Sequence, residues 1–271
     1  MSNPLFIWAG GKNKMLKHYK PFMPKNVNTY CEPFFGGGAM YVYVLKHYSP
    51  NELIINDVNS DIVRIYKTIK SDCDSFVKIV DEMSEEYLPL DKAARKDYYY
   101  SLRHKHAYDY VSWDSTKEAA VLYFLMKTGF NGIFQLNINT NNRYGTPSGL
   151  LNQRTKVYDK DVVEWWNKAL QNTQILSGDW KDSVSYVEDK ENNFVFLDPP
   201  YIETHDYKFN YNKNEVLDES FINNLYQQVK KLDTKDVKWL MTQADTKQVK
   251  DIFKEYTIKK IKVYRMASKS Y

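Results

Sequence analysis

Asp198, Pro199, Pro200 and Tyr201 follow directly on the apolar run Phe194-Val195-Phe196-Leu197. A carboxylate, a carbonyl on a residue with no N–H and an aromatic ring within four positions can hold a flat ring that bears an amino group. Asp198 and the Pro199 carbonyl accept from the NH2, and Tyr201 stacks on the ring face. The preceding run, with one β-branched and two aromatic members, predicts a short buried strand over 193–197. Two successive prolines cannot continue a central ladder, so the chain must leave the sheet at Asp198. The four residues therefore stand at the carboxyl end of a strand, where open α/β sheets bind ligands.

Three further stretches carry chemistry. Leu5–Lys12 is an apolar run closed by Gly10, Gly11 and Lys12, with a helix-like segment at Met15, Leu16 and Tyr19 beyond it. Glycines let a backbone approach a ligand and Lys12 supplies a point charge, although the physics alone reads an ordinary turn. Asn28–Phe34 predicts a strand that ends at Glu32-Pro33-Phe34-Phe35 and the glycines Gly36, Gly37 and Gly38, with a helix over Ala39–Leu45. A strand, a glycine turn and a helix amino terminus offer bare N–H groups to a ligand. The spacing is not Gly-x-Gly-x-x-Gly, which argues against a nicotinamide site. Glu52–Asp57 predicts a strand ending in an acid about 20 residues after the glycines, the distance at which a carboxylate meets ribose hydroxyls. Asp57 reads equally as a cap for the helix bearing Ile62, Val63, Tyr66 and Ile69. Asp179, after the strand Thr173–Leu176, is either a ligand contact or a turn residue following Gly178.

From Ser71 to about Tyr158 the strand-helix alternation stops. Lys92–Ala107 is basic and carries Tyr98, Tyr99, Tyr100, Arg103, His104 and His106. The two histidines lack a carboxylate or cysteine cluster to complete a metal site, and such a face reads as solvated or touching phosphate. Ser115-Thr116-Lys117-Glu118 reads as a capping box, Ala119–Met126 as an apolar helix and Gly129 as its terminator. Residues 129–149 then interleave loop formers with rings and amides, as a surface that reads base edges would, or as a long hairpin stacked on the domain would. Ile202–Asn214 is an aromatic-studded polar loop that could close over a bound ring or be a plain surface loop. Two helices, around Phe221–Leu232 and Val249–Tyr256, flank a strand at Val237–Thr242, and Ile258–Tyr264 predicts one more strand.

At 271 residues the chain suits one large domain with an insertion, and the net charge of +4 is compatible with nucleic acid without identifying it. Two cysteines in dissimilar contexts, Cys31 and Cys73, point to a reducing compartment, and no signal peptide or membrane span is visible.

Taken in order, Trp8-Ala9-Gly10-Gly11-Lys12, the turn after Glu32, the insertion and Asp198-Pro199-Pro200-Tyr201 resemble the Dam-type DNA adenine-N6 methyltransferases of the alpha group, over nearly the whole chain. The resemblance implies a Rossmann-like α/β fold with a mostly parallel sheet, residues 1–67 and 159–271 forming the catalytic domain and 68–158 a helical and hairpin DNA-recognition insertion. It implies S-adenosylmethionine as cofactor, S-adenosylhomocysteine as product, no metal, and double-stranded DNA as partner. Location would be the cytoplasm of a bacterial host or a phage-infected cell, with a cognate restriction enzyme as a possible companion. Carried over residue by residue, Asp198, Pro199, Pro200 and Tyr201 are catalytic. Trp8, Ala9, Gly10, Lys12, Glu32, Phe34, Gly36, Gly38, Asp57, Asp179 and Asp198 contact the cofactor, Lys12 facing its carboxylate. Arg103, Phe130, Asn131, Gly132, Ile133, Gln135, Asn137 and Arg143 contact DNA. N4-cytosine and RNA-adenine enzymes share Asp-Pro-Pro-Tyr and stand as alternatives, as does a non-catalytic binding protein. The resemblance departs at the carboxyl end, where members usually run through a basic loop into a last antiparallel strand and this sequence stops at Tyr271. Many relatives that read GATC carry Arg where Gln135 stands. Arg pairs well with guanine and Gln with adenine, so a target differing from GATC at that base pair is expected. Genome-wide profiling of methylated positions tests this, and strict GATC methylation would refute it.

Overall fold

Short apolar runs that end in residues unable to continue a ladder become five parallel strands in the computed structural model, which describes residues 3–8, 15–149, 155–187, 192–201 and 219–262. The strands are β1 (Thr29–Glu32), β2 (Glu52–Asp57), β5 (Thr173–Ser177), β6 (Asn193–Leu197) and β7 (Lys238–Met241), in the spatial order β5-β2-β1-β6-β7. β3 (Leu136–Asn137) and β4 (Arg143–Tyr144) form a separate antiparallel hairpin. The helices are α1 (Leu16–Tyr19), α2 (Ala39–His47), α3 (Ser60–Ser71), α4 (Cys73–Tyr87), α5 (Lys92–Tyr108), α6 (Ser115–Thr128), α7 (Lys160–Leu170), α8 (Trp180–Ser185), α9 (Glu219–Thr234) and α10 (Lys247–Ile252).

The order of strands sets where a ligand can sit. From β1 the chain moves outward to β2 and β5, then returns to pair β6 on the other side of β1. The topological switch point therefore lies between β1 and β6, at their carboxyl ends. Thr29 pairs with both Glu52 and Asn193, so the exits of β2 and β6 flank the turn that follows Glu32.

One apolar cluster covers one face of the sheet and continues without a break into α4, α5 and α6, joining Tyr30, Phe35, Tyr66, Phe76, Tyr99, Phe124 and Trp166. A second covers the opposite face with Trp180, Val195, Leu197 and the inner side of α9. Each parallel strand is thus shielded on both sides, which is why β6 reads as an uninterrupted apolar run.

Two expectations are corrected, and one alternative is set aside. The helix after Asp114 is capped by Asp114 itself, whose carboxylate accepts from Lys117 N, so Ser115–Glu118 is not a capping box and Glu118 is free to turn inward. Asn59 caps α3 through the N–H groups of Asp61 and Ile62, which removes that task from Asp57. Residues 258–262 form no strand, since their apolar members, Ile258 and Ile261, stand three apart where a half-buried strand alternates by two; the remainder of that stretch lies outside the described residues.

Asn56 ties the strand exits together. Buried at the end of β2, it donates from Nδ2 to Pro33 O and to Gly178 O, each at 3.1 Å, which fixes the turns after β1 and β5 on either side of it. Asn56→Leu leaves two carbonyls unpaired in a dry environment and is expected to cost roughly 2–4 kcal/mol, read as a lowered urea midpoint with an unchanged m-value.

Candidate active site

Asp57 governs the glycine turn. One carboxylate oxygen accepts from Gly36 N at 2.8 Å and the other from Asn59 N at 2.9 Å. Tyr66 reaches from α3 to donate its hydroxyl to Gly36 O at 2.9 Å, so Gly36 is held at both its N–H and its carbonyl. Gly36 has φ +51°, and a Cβ there would lie 2.5 Å from the Trp8 ring. The glycine is required both by its left-handed backbone and by that ring. Trp8 in turn contacts Phe134 of the loop after α6, with ring centroids 5.6 Å apart. Gly38, at φ +69°, begins α2 under the rings of Trp166 and Phe35. Phe34 stands next to Trp180 at 5.5 Å and is half-buried.

On the other side of the switch point, Asp198 is partly exposed and Pro199 is buried. The first residues after β7 clamp this turn. Thr242 donates its hydroxyl to Asp198 Oδ1 and its N–H to Leu197 O, and Gln243 Nε2 donates to Pro200 O at 3.4 Å. Tyr19 on α1, buried and 5.8 Å from the Phe196 ring, has its hydroxyl pK pushed up first by burial and then by the nearby charges of Asp198 and Tyr201. Thr242, Gln243, Tyr19, Asn56 and Tyr66 are site residues that the sequence reading missed. Only Thr242 and Gln243 carried a signal, by standing at the end of a strand neighbouring Asp198.

Glu32 is buried between the two halves. Tyr30 donates its hydroxyl to Glu32 Oε2 at 2.7 Å. Burial raises the Glu32 carboxyl well above its usual range and the charges of Asp198 and Asp57 add to the rise, while the Tyr30 bond opposes it. Burial likewise raises Asp57 to about 6 against the two backbone bonds that lower it. Three carboxyl groups therefore share one edge of the sheet, with mutual repulsion that a bound cation would relieve.

The other expected residues fall into distinct groups. Ala9, Gly10 and Lys12 lie outside the described residues, as does the loop over 202–214. Asp179 caps α8 through Lys181 N and pairs with Lys181 Nζ at 3.2 Å; it follows Gly178, whose N–H donates to Asp57 O at 3.3 Å at the exit of β5. In the insertion, Phe130 is 46% exposed, Asn131 and Gln135 are exposed, and Asn131 and Gly132 adopt left-handed conformations. Asn137 spends its side-chain oxygen on Asn139 N, which shapes the hairpin turn. Arg103 and Arg143, expected as DNA contacts, both engage groups of the chain itself. Arg103 donates to the Gly145 and Thr146 carbonyls at 2.9 Å, and Arg143 is buried against Glu118. The α5 face is likewise not a solvated one at His106, which is fully buried and held neutral by burial and by Arg143. A groove of about 1270 Å³ between α4, α5 and α6 lies elsewhere, and its rim of Glu82, Glu86 and Asp97 opposes a polyanion. Among the described residues no cluster of His, Cys, Asp or Glu could hold a metal ion, and no helix is long and apolar enough to cross a membrane.

The chain is similar to known DNA methyltransferases. Residues 8–267 match the family described as D12 class N6 adenine-specific DNA methyltransferase. The chain is 31% identical to the Type II methyltransferase M.MjaIII of Methanocaldococcus jannaschii, across 97% of this chain and 92% of that protein. It is 28% identical to the Type II methyltransferase M1.LlaDCHI of Lactococcus lactis subsp. cremoris, across 97% and 88%. It is 23% identical to the DNA adenine methylase of Haemophilus influenzae, across 98% and 88%. N4-cytosine and RNA-adenine chemistry are thereby set aside, and the chain belongs to the D12 class of N6 adenine-specific DNA methyltransferases.

Proposed function

We propose that this methyltransferase extrudes its target adenine from duplex DNA and holds the N6 amine between Asp198 and the Pro199 carbonyl. The observation that supports the reading is the placement of Asp198 and Pro199 at the carboxyl end of β6, beside the switch point of the sheet, with the Asp198 carboxylate oriented by the Thr242 hydroxyl. An adenine N6 lone pair is delocalised into the ring and is a poor nucleophile. Accepting both amine hydrogens favours a pyramidal nitrogen and aims its lone pair in one direction. Tyr201 stacks on the extruded ring and offsets part of the cost of unpairing it, on the order of a few kcal/mol.

The cofactor in this reading is S-adenosylmethionine, which supplies a methyl group activated by a sulfonium and becomes S-adenosylhomocysteine. The residues fit it, because the carboxyl groups of Glu32, Asp57 and Asp198 stand at one sheet edge, where a sulfonium and an ammonium would favour their ionised forms. Asp57 would take the ribose hydroxyls, Phe34 and Asp179 would line the adenine side, and Trp8, Ala9, Gly10 and Lys12 with the turn at Gly36 to Gly38 would hold the methionine end. Residues 68–158 would form the target-recognition part, with Phe130, Asn131, Gly132, Ile133 and Gln135 facing DNA. Two of the relatives are named Type II methyltransferases, which favours protection of host DNA from a cognate restriction endonuclease in the cytoplasm.

Asp198→Ala is expected to abolish methyl transfer while duplex binding stays near normal, measured with labelled S-adenosylmethionine and a binding assay on the same preparation. Thr242→Val should lower kcat roughly tenfold to a hundredfold with little change in KM for DNA, the range a hydrogen bond to a charged group implies. Asp57, titrating at about 6, is ionised above that pH and neutral below it. Cofactor affinity should therefore be full at about pH 8 and fall towards about pH 5 as the carboxylate is lost. Calorimetric titration should show that step reduced in Asp57→Asn, whose affinity is already low at the higher pH.

A further inference from the structure

The hairpin β3–β4 is anchored by a buried cluster of charges to which no role in methyl transfer attaches. Arg143, on β4, pairs with Glu118 of α6 and lies 3.6 Å from Asp61 of α3. Arg64 of α3 approaches the same two acids at 3.0 Å each. Two guanidinium groups thus balance two carboxylates. The Arg143 guanidinium also lies 3.6 Å from the centre of the Tyr110 ring and its Nη2 is 3.4 Å from His106 Nε2 on α5. Its side chain is 11% exposed and that of Glu118 10%, so neither group is presented to solvent.

Buried ion pairs seldom stabilise a fold more than apolar residues of the same volume would, but each accepts only a narrow geometry. Here the geometry is shared by four elements: α3, α5, α6 and the hairpin. Asp61 stands two residues after Asn59, the cap whose N–H binds Asp57. The cluster therefore joins the hairpin to the segment that fixes the glycine turn.

We propose that Arg143 and Glu118 are positioning residues for target discrimination, holding the hairpin in register with the catalytic edge without touching DNA. This rests on reading the hairpin loop as the surface that meets bases. A charge on the hairpin that bound phosphate would act equally on every sequence and would contribute to the salt dependence of binding. A charge that only orients the loop would act on the right sequence and leave the salt dependence alone.

The test uses a duplex carrying the site that the wild-type enzyme methylates in plasmid DNA, and duplexes with one flanking base pair changed. Arg143→Met and Glu118→Gln should each lower the ratio of kcat/KM between the true and altered sites by about tenfold, the scale of one lost base contact. The slope of log affinity against log salt on non-specific duplex should stay at its wild-type value. The double variant Arg143→Met/Glu118→Gln removes one charge of each sign, so it retains neutrality and should fold if either single variant does not; it should show the same loss of discrimination. If Arg143→Met lowers the salt slope by about one and weakens all duplexes alike, Arg143 is a phosphate contact and the proposal fails. Unchanged discrimination in the folded double variant would also overturn it. Gln135→Ala separates this from the underlying reading: altered site preference supports the hairpin as the base-reading surface, and an unaltered one removes that reading whatever Arg143 does.

Discussion

The carboxylate of Asp57 is the interaction on which the rest of the site depends. By accepting from Gly36 N and Asn59 N at once, it fastens the turn after β1 to the start of α3. Neither turn could satisfy those N–H groups from its own backbone, since the chain at Gly36 is left-handed and Asn59 has not yet entered the helix. Asn56 performs the matching task one residue earlier, through two carbonyls. Adjacent residues of a strand point to opposite faces. One strand end thereby organises the turns on both sides of the sheet, and a ligand edge emerges from backbone hydrogen bonding.

Charge is then concentrated where the sheet can least solvate it. Glu32 has almost no exposure, and neighbouring acids raise its carboxyl further. Leaving such groups together destabilises an empty site, and the penalty is relieved by whatever cation the site receives. A carboxylate that must accept from an amine, as proposed for Asp198, gains from the same arrangement. Its orientation is fixed by Thr242.

Much of this edge was legible in the sequence. Phe194–Leu197 followed by two prolines admitted no reading other than a buried strand with an abrupt exit, and Glu52–Asp57 matches the observed β2 residue for residue. What could not be read were partners distant in sequence. Arg143 reads as a cation facing DNA, and nothing local announces its pairing with Glu118, 25 residues earlier. Glu118 looked like half of a capping box for the same reason, because Asp114 takes over the cap and the acid is drawn inside. Asp57 by itself reads equally as a cap or a ligand contact and only its company favours the latter; Asn59, two residues on, supplies the cap. Ile258 failed in the opposite way: local β propensity was present, but the pattern had no second face to bury.

The helical segment is not a separate module resting on a catalytic sheet. In α6 every residue from Ala119 to Met126 is buried, and a helix apolar on all sides belongs to an interior. Its neighbours in the core come from both parts of the chain, Tyr66 and Trp166 on one side and Phe76 and Tyr99 on the other. The recognition loop begins at Gly129, where α6 ends, and Gly149 returns to donate to Thr128 O. Within the described residues the span from loop to Asp198 is thus set by close packing and not by a hinge. Packed interiors resist small displacements, so a loop proposed to read the target would hold a fixed distance from Asp198. On the proposed reading the adjustment would fall to DNA, whose unpairing cost depends on its own sequence, and discrimination would follow from which duplexes can deform to fit that distance.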